Sequence, residues 1–139
     1  MQRICDEEMK HFAQVREELK NRGMTLGRER KDQYVHDLLD FILTGGGREN
    51  QIVERMLFSA MIEARSCERF RLLSENISDE GLRSFYRELM ESEADHYTTF
   101  IGFARKHGKG IDVDKRWQEF LDYEATLMSK YGRTQTMHG

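Results

Sequence analysis

None of the 139 residues of this chain is proline, the residue that most strongly breaks a helix. Glycine, the other strong helix breaker, gathers mainly near positions 23–27, 45–47, 108–110 and 132. Few interior breakers and little alternating hydrophobicity favour long helices joined by short connections. Charged residues make up 34% of the chain and hydrophobic residues 38%, as in amphipathic helices with solvated outer faces. We therefore predict an all-α fold.

Apolar spacing and capping signals divide the chain into five predicted helices. These helices cover about 1–22, 34–43, 49–73, 79–106 and 113–131. Gly23 stands where a glycine is expected just after the first helix, and Ser78 is the predicted N-cap of the fourth. We expect one helical domain over 1–131 and an irregular tail over 132–139.

The charge and the cysteine content indicate the cellular compartment in which the protein is expected. The formal net charge of -3 gives no overall attraction to nucleic acid, and local basic clusters are typical of solvated helix faces. No stretch is apolar enough to span a bilayer, and the N-terminus does not read as a secretory signal. The two cysteines, Cys5 and Cys67, do not form a disulfide framework. We expect a cytoplasmic protein with no membrane partner.

Charged and imidazole side chains interrupt the apolar stripes of three predicted helices. The first stripe contains Ile4, Glu8, His11, Val15 and Leu19. The stripe of the third helix contains Val53, Met56, Ala60, Glu63, Cys67 and Phe70. The stripe of the fourth contains Leu82, Tyr86, Leu89, Glu93, His96, Phe100 and Phe103. Residues three or four apart share a helix face, so each Glu-x-x-His pair presents a carboxylate and an imidazole to one ion.

One such group alone is more often a carboxylate at the stripe's edge or a hydrogen-bonded core histidine. Several carboxylates buried together, however, are strongly unfavourable without cations. Oxygen and imidazole ligands without thiolates suit iron or manganese, and di-iron bundles use two single Glu residues plus two Glu-x-x-His pairs. Five of those six ligands are present in this sequence. They are Glu8, His11, Glu63, Glu93 and His96.

The sixth ligand is expected outside the sequence as given. Glu63 precedes Glu93 by about 30 positions, the distance of one antiparallel helix pair, so a partner of Glu8 would lie upstream of Met1. On this interpretation the chain lacks the first helix of a four-helix bundle. We then expect an apolar groove beside Glu8 and Glu63 that promotes self-association. Glu124, on the stripe of the last helix, is the alternative sixth ligand.

Several longer segments of this chain resemble those of a known protein family. The segments IEARSCERF (62–70), FY (85–86) and SEADHY (92–97) resemble the tRNA 2-methylthio-N6-prenyladenosine hydroxylases of the MiaE type. The opening EEMKHF (7–12) and the closing MHG (137–139) are also similar to that family, so the resemblance covers nearly the whole chain. The nine-residue segment is far more specific than a Glu-x-x-His pair, which many ferritin-like proteins share.

The resemblance implies a ferritin-like fold with additional short and C-terminal helices, and a di-iron hydroxylase. Its substrate would be the prenylated adenosine beside the anticodon of tRNA, with O2 as co-substrate and an outside reductase or other electron donor. The five residues named above would be iron ligands. Cys67 would line the oxygen or substrate pocket or serve as a small core residue, and Asp95 would orient a ligand imidazole.

Two other interpretations remain open at this point. A ferritin-like protein that binds iron or consumes O2 or peroxide without an organic substrate would use the same ligands. An inactive, truncated remnant would lack the metal. Iron content separates the remnant from the other two, and turnover on prenylated tRNA separates the hydroxylase from the iron-binding protein.

Overall fold

The computed structural model describes residues 1–28 and 31–131, which form five helices and no strand. In chain order the helices are α1 (Gln2–Asn21), α2 (Gln33–Asp40), α3 (Arg48–Asn76), α4 (Glu80–His107) and α5 (Val113–Tyr131). None of them is long and apolar enough to cross a membrane. The all-α prediction is confirmed. The predicted irregular tail, 132–139, lies outside the described residues.

The chain divides into two compact units, Met1–Lys31 and Asp32–Gly139. The first unit contains α1 and the segment after it. Helix α1 ends in a Schellman motif: Gly23 has φ 66°, its N–H donates to Lys20 O, and Met24 N–H donates to Leu19 O. The glycine stop predicted at position 23 is therefore confirmed.

The second unit contains α2 to α5. Helices α3 and α4 are joined by only Ile77–Asp79 and run antiparallel, because Phe70 stacks on Tyr86 while Glu63, earlier in α3, approaches His96, later in α4. The core of this unit contains Leu38, Val53, Leu57, Ala60, Phe100 and Phe120.

Three predicted helix ends differ from the structure. The N-cap of α4 is Asp79 and not Ser78, because the Asp79 carboxylate accepts the Leu82 N–H at 2.9 Å. Helix α3 continues to Asn76, three residues beyond the prediction. Helix α2 ends at Asp40 and has Phe41 as its C-cap, whose backbone keeps a right-handed helical conformation (φ -78°, ψ -15°) and whose ring stacks on Tyr123 at 4.2 Å between ring centroids.

Two glycines near the end of α4 provide a matched stability test. A Cβ added to buried Gly108 would lie 2.7 Å from Val113 Cγ2 and 2.9 Å from Ala104 O, whereas one added to exposed Gly102 meets nothing within 4 Å. Gly108→Ala is expected to lower the free energy of unfolding by about 1–3 kcal/mol through overpacking. Gly102→Ala is expected to raise it by about 0.5–1 kcal/mol through better helix propensity. Urea denaturation of both variants checks this, and equal effects would contradict the packing at Gly108.

Candidate metal centre

Helix α4 places Glu93 and His96 on its buried face. They are three residues apart, so one turn of helix brings the carboxylate and the imidazole to the same side. Glu93 is 6% exposed and His96 is fully buried, and Leu89 and Phe100 are buried on the same face. Both groups therefore lie within the apolar interior, as the stripe of α4 predicted.

Helix α3 supplies the third group, Glu63. Its Oε2 lies 3.9 Å from His96 Nδ1, and its side chain is 13% exposed. Glu63, Glu93 and His96 each offer one ligand atom, and these atoms lie within 4.8 Å of one another. The structure thus brings together the three second-unit residues that the sequence predicted as ligands.

The donor set fits a redox-active transition metal. Two largely buried carboxylates so close together repel each other and lose hydration, and a cation compensates for both effects. Oxygen and imidazole donors without a thiolate suit iron or manganese. The three residues are therefore a candidate metal centre, and the chemistry of the donors is compatible with iron.

The remaining predicted ligands lie on α1, in the first unit. Glu8 and His11 form a Glu-x-x-His pair whose side chains meet on one helix face, with His11 Nδ1 at 3.4 Å from Glu8 Oε1. The local geometry expected of such a pair is therefore present. Metal binding by these two residues stays a prediction.

Cys67 and Asp95 have different surroundings. Cys67 is half-buried one turn beyond Glu63, and burial together with the nearby Glu93 carboxylate raises the pKa of its thiol. The thiol therefore stays protonated and neutral at pH 7. Asp95 is exposed while the adjacent His96 is fully buried, so their side chains leave α4 in different directions. The orienting role of Asp95 stays a prediction.

Glu124, the alternative sixth ligand, lies beside a cation. Its Oε1 is 3.7 Å from Arg65 Nε, and Arg65 also donates to Glu68 at 2.8 Å. The contact joins α5 to α3, as expected for an ion pair between helices. Among the described residues, Glu124 does not belong to the cluster of Glu63, Glu93 and His96.

Glu124 gives a test of pH-dependent stability. Burial raises the pKa of its carboxyl, and the nearby Arg65 opposes that rise only in part. The folded state therefore binds this proton more tightly than the unfolded state, and the contribution of Glu124 to stability falls as the pH rises through its folded pKa. Glu124→Gln is expected to gain stability relative to the parent chain between pH 4 and pH 7, in urea denaturation at each pH. A relative loss over that range would contradict this placement.

A buried ion pair that was not predicted from the sequence connects α3 and α5. Arg116 donates to both carboxylate oxygens of Glu54 at 2.7 Å, and the two side chains are 10% and 5% exposed. The Arg116 guanidinium also lies over the rings of Phe41 and Phe120, 4.4 and 4.8 Å from their centroids. The same stripe argument that identified Glu63 applies to this pair, because Glu54 is in line with the buried Leu57 and Met61.

The ion pair also organises the connection between α2 and α3. Arg116 Nη2 donates to the Phe41 carbonyl at 2.9 Å, and the Leu43 N–H donates to Glu54 Oε2 at 3.0 Å. These bonds satisfy part-buried backbone groups of an irregular segment. The pair therefore fixes α5 and the α2–α3 connection to the helix that carries Glu63.

Known proteins similar to this chain are hydroxylases and an oxygenase. Over 135 residues, or 97% of the chain, it is 32% identical to the tRNA 2-(methylsulfanyl)-N(6)-isopentenyladenosine(37) hydroxylase of Salmonella typhimurium, covering 48% of that protein. It is 35% identical over 113 residues, or 81% of the chain, to the protein of the same name from Pseudomonas putida, covering 54% of it. The chain thus spans about half the length of these two relatives.

A solved structure has a similar fold. It is described as Protein 43 with aldehyde deformylating oxygenase activity from Synechococcus, and the comparison gives a TM-score of 0.83 at 29% identity. The match covers 95% of this chain and 63% of that one. The all-α fold is therefore of the ferritin-like class.

The family comparison spans all the motifs discussed above. The model described as tRNA-(MS[2]IO[6]A)-hydroxylase (MiaE) matches residues 1–139. The match includes α1 with its Glu-x-x-His pair and the α3–α4 pair with the candidate metal centre. The chain belongs to the MiaE family of tRNA hydroxylases.

Proposed function

We propose that this chain carries the metal centre of an O2-dependent di-iron hydroxylase that acts on prenylated adenosine beside the anticodon of tRNA. The observation that carries the proposal is the convergence of Glu63, Glu93 and His96 in a member of this family. The substrate is inferred from the two relatives, each named as a tRNA 2-(methylsulfanyl)-N(6)-isopentenyladenosine(37) hydroxylase. The hydroxylated position is on the prenyl side chain.

The proposed ligand set contains five residues of this chain. Glu63, Glu93 and His96 hold iron from α3 and α4, and Glu8 and His11 contribute from α1. The second Glu-x-x-His pair supports this assignment, because di-iron carboxylate bundles use two such pairs with two further Glu residues. Glu124 is not included, since its carboxylate lies beside Arg65.

Iron bound by these residues would supply the activation of O2, which a protein side chain cannot perform. In that reaction one oxygen atom would enter a C–H bond of the substrate and the other would leave as water, with two electrons from an external reductant and two protons from solvent. The chain itself holds the donors in fixed positions and excludes water. Ala60, Leu89 and Phe100 are buried around the ligand positions on α3 and α4 and provide the dry surroundings. The neutral Cys67 thiol borders the same region, as a pocket residue.

The proposed partners follow from this reaction. The tRNA must present its anticodon loop with the modified base unstacked, as most sequence-specific RNA recognition requires. An unidentified reductase or small electron donor supplies the electrons, and the reaction takes place in the cytoplasm, where mature tRNA is found. We also propose that the chain self-associates through apolar surface, as expected from its sequence.

Oxygen uptake separates this function from that of an iron-binding protein without an organic substrate. With Fe(II) and a chemical reductant, uptake is expected to increase when tRNA with 2-methylthio-N6-isopentenyladenosine is added. The same tRNA with unmodified adenosine is expected to give no increase. Equal uptake with both tRNAs and with no tRNA would favour the iron-binding alternative, and no iron bound at all would favour the inactive remnant.

A further inference from the structure

Two aromatic residues, one on α3 and one on α4, lie at the same sequence distance from the glutamates of the metal centre. Phe70 lies seven residues after Glu63, and Tyr86 lies seven residues before Glu93. The rings of Phe70 and Tyr86 are stacked, with centroids 5.9 Å apart and planes at 21°. Seven residues are about two helical turns, or about 10.5 Å of rise. Phe70 and Tyr86 therefore form a layer about that far from the Glu63–Glu93 layer, and we call this pair the aromatic layer.

Burial differs between the two sides of the metal centre. Toward the C-terminus of α4 the interface between α3 and α4 is closed by buried side chains, which are Val53, Leu57, Phe100, Ile101 and Ala104. Toward the N-terminus of α4 Leu89 is buried, whereas most neighbouring side chains are only half-buried. These are Cys67, Phe70, Phe85, Tyr86 and Met90. The aromatic rings on this side are partly exposed and therefore accessible to a ligand.

We propose that the aromatic layer seats the adenine ring of the substrate, so that the prenyl chain extends past Cys67 to the metal centre. This inference rests on the proposed function and adds the residues that position the base. The longest path through the prenyl group has four carbons. It extends about 5 Å from the exocyclic nitrogen of the adenine, because each bond is about 1.5 Å long. The purine itself adds several ångströms. Together these lengths match the two helical turns between the aromatic layer and the ligands.

The chemistry of the aromatic layer suits this substrate. Unstacked RNA bases are commonly held by stacking on aromatic side chains, because every base presents a π-face. The 2-methylthio group adds a polarizable sulfur, which interacts favourably with aromatic rings. Between the two layers lie Cys67 and Leu89, a half-buried cysteine and a buried aliphatic side chain that suit a hydrocarbon chain.

The test is a binding titration with two anticodon stem-loop RNAs that differ only in one base. One carries 2-methylthio-N6-isopentenyladenosine next to the anticodon, and the other carries adenosine. Tyr86→Leu is expected to weaken binding of the modified RNA by about fivefold to a hundredfold, the range for one base–aromatic stack. Binding of the unmodified RNA is expected to change little. Tyr86→Phe keeps the ring and is expected to retain the preference for the modified RNA.

Phe103→Leu is the matched control, because Phe103 is a half-buried aromatic residue of α4 seven residues beyond His96, on the opposite side. Its RNA preference is expected to equal that of the parent chain. An unchanged preference in Tyr86→Leu, or the same loss in Phe103→Leu, would overturn the inference. If the parent chain hydroxylates modified RNA while Tyr86→Leu keeps the preference, the inference alone fails. If the parent chain neither prefers nor hydroxylates the modified RNA, the proposed function fails as well.

Discussion

Replacing Glu93 by alanine is expected to lower hydroxylation of prenylated tRNA by more than about a hundredfold and to reduce bound iron. Residues that only orient metal ligands already cost 10–100-fold when they are mutated, so loss of a ligand is expected to cost more. The metal-free variant is expected to stay folded, because removing one of two adjacent buried carboxylates relieves their repulsion. The measurements are product formation, iron content and thermal unfolding of the metal-free proteins.

Glu91→Ala is the matched control for this prediction. Glu91 is an acid on the same helix, two residues away, and it is exposed. Its replacement is expected to leave iron content and product formation within about twofold of the parent chain, since surface substitutions away from the site have small effects. Iron content that stays at the parent level in Glu93→Ala, or falls equally in Glu91→Ala, would contradict the assignment of Glu93.

Replacing Arg116 by methionine is expected to lower the free energy of unfolding by about 3–5 kcal/mol, the cost of removing one partner of a buried ion pair. The variant leaves the Glu54 carboxylate buried without its guanidinium and removes the donor to the Phe41 carbonyl. It also removes the cation that lies over two aromatic rings. Urea denaturation at neutral pH measures the loss.

Two further variants separate the ion pair from other effects. The double variant Arg116→Met with Glu54→Met is expected to recover much of the stability, because buried ion pairs are often replaceable by apolar residues of similar volume. Arg105→Met removes an exposed pair with Asp114 and is expected to cost only about 0–1 kcal/mol. A loss of less than about 1 kcal/mol in Arg116→Met would show that the Glu54–Arg116 pair is not buried as described.

The helices and their stripes could be predicted because local rules determine them. Gly23 ends α1 at the predicted place, since only a residue that tolerates positive φ completes the Schellman motif there. The predicted N-cap of α4 lies one residue before the observed one. Ser78 and Asp79 are adjacent and are both good caps, and the charged carboxylate interacts more strongly with the helix N-terminus. A choice between two adjacent caps depends on geometry that the sequence alone does not contain.

The end of α2 depends on contacts distant in sequence. At the C-cap of α2, the Phe41 ring packs on Tyr123 and Arg116, both from α5. Local propensity carries no signal for such contacts, so the predicted helix was three residues too long. The Glu54–Arg116 pair was missed for a related reason, because Glu54 lies on the apolar stripe of α3 whereas its partner is 62 positions away on another helix.

The part of the candidate site that lies on α3 and α4 could be predicted from the sequence. Glu63, Glu93 and His96 lie on stripes of α3 and α4, and an antiparallel pair with a short connection brings these stripes together. The sequence could not decide whether Glu124 joins them, because Glu124 interrupts the apolar stripe of α5 in the same way as Glu63 interrupts that of α3. The structure places its carboxylate beside Arg65, a pairing that depends on how α5 packs against α3.

The hydroxylase assignment is tested by following an oxygen atom from O2 into the nucleoside. Chain loaded with Fe(II) is supplied with a reductant, isotopically heavy O2 and tRNA containing 2-methylthio-N6-isopentenyladenosine, and the digested nucleosides are analysed by mass spectrometry. We predict a nucleoside that has gained one heavy oxygen atom on its prenyl side chain, and no such product with Glu93→Ala. An unchanged nucleoside in the presence of bound iron and consumed O2, or a product whose oxygen comes from water, would contradict the hydroxylase assignment.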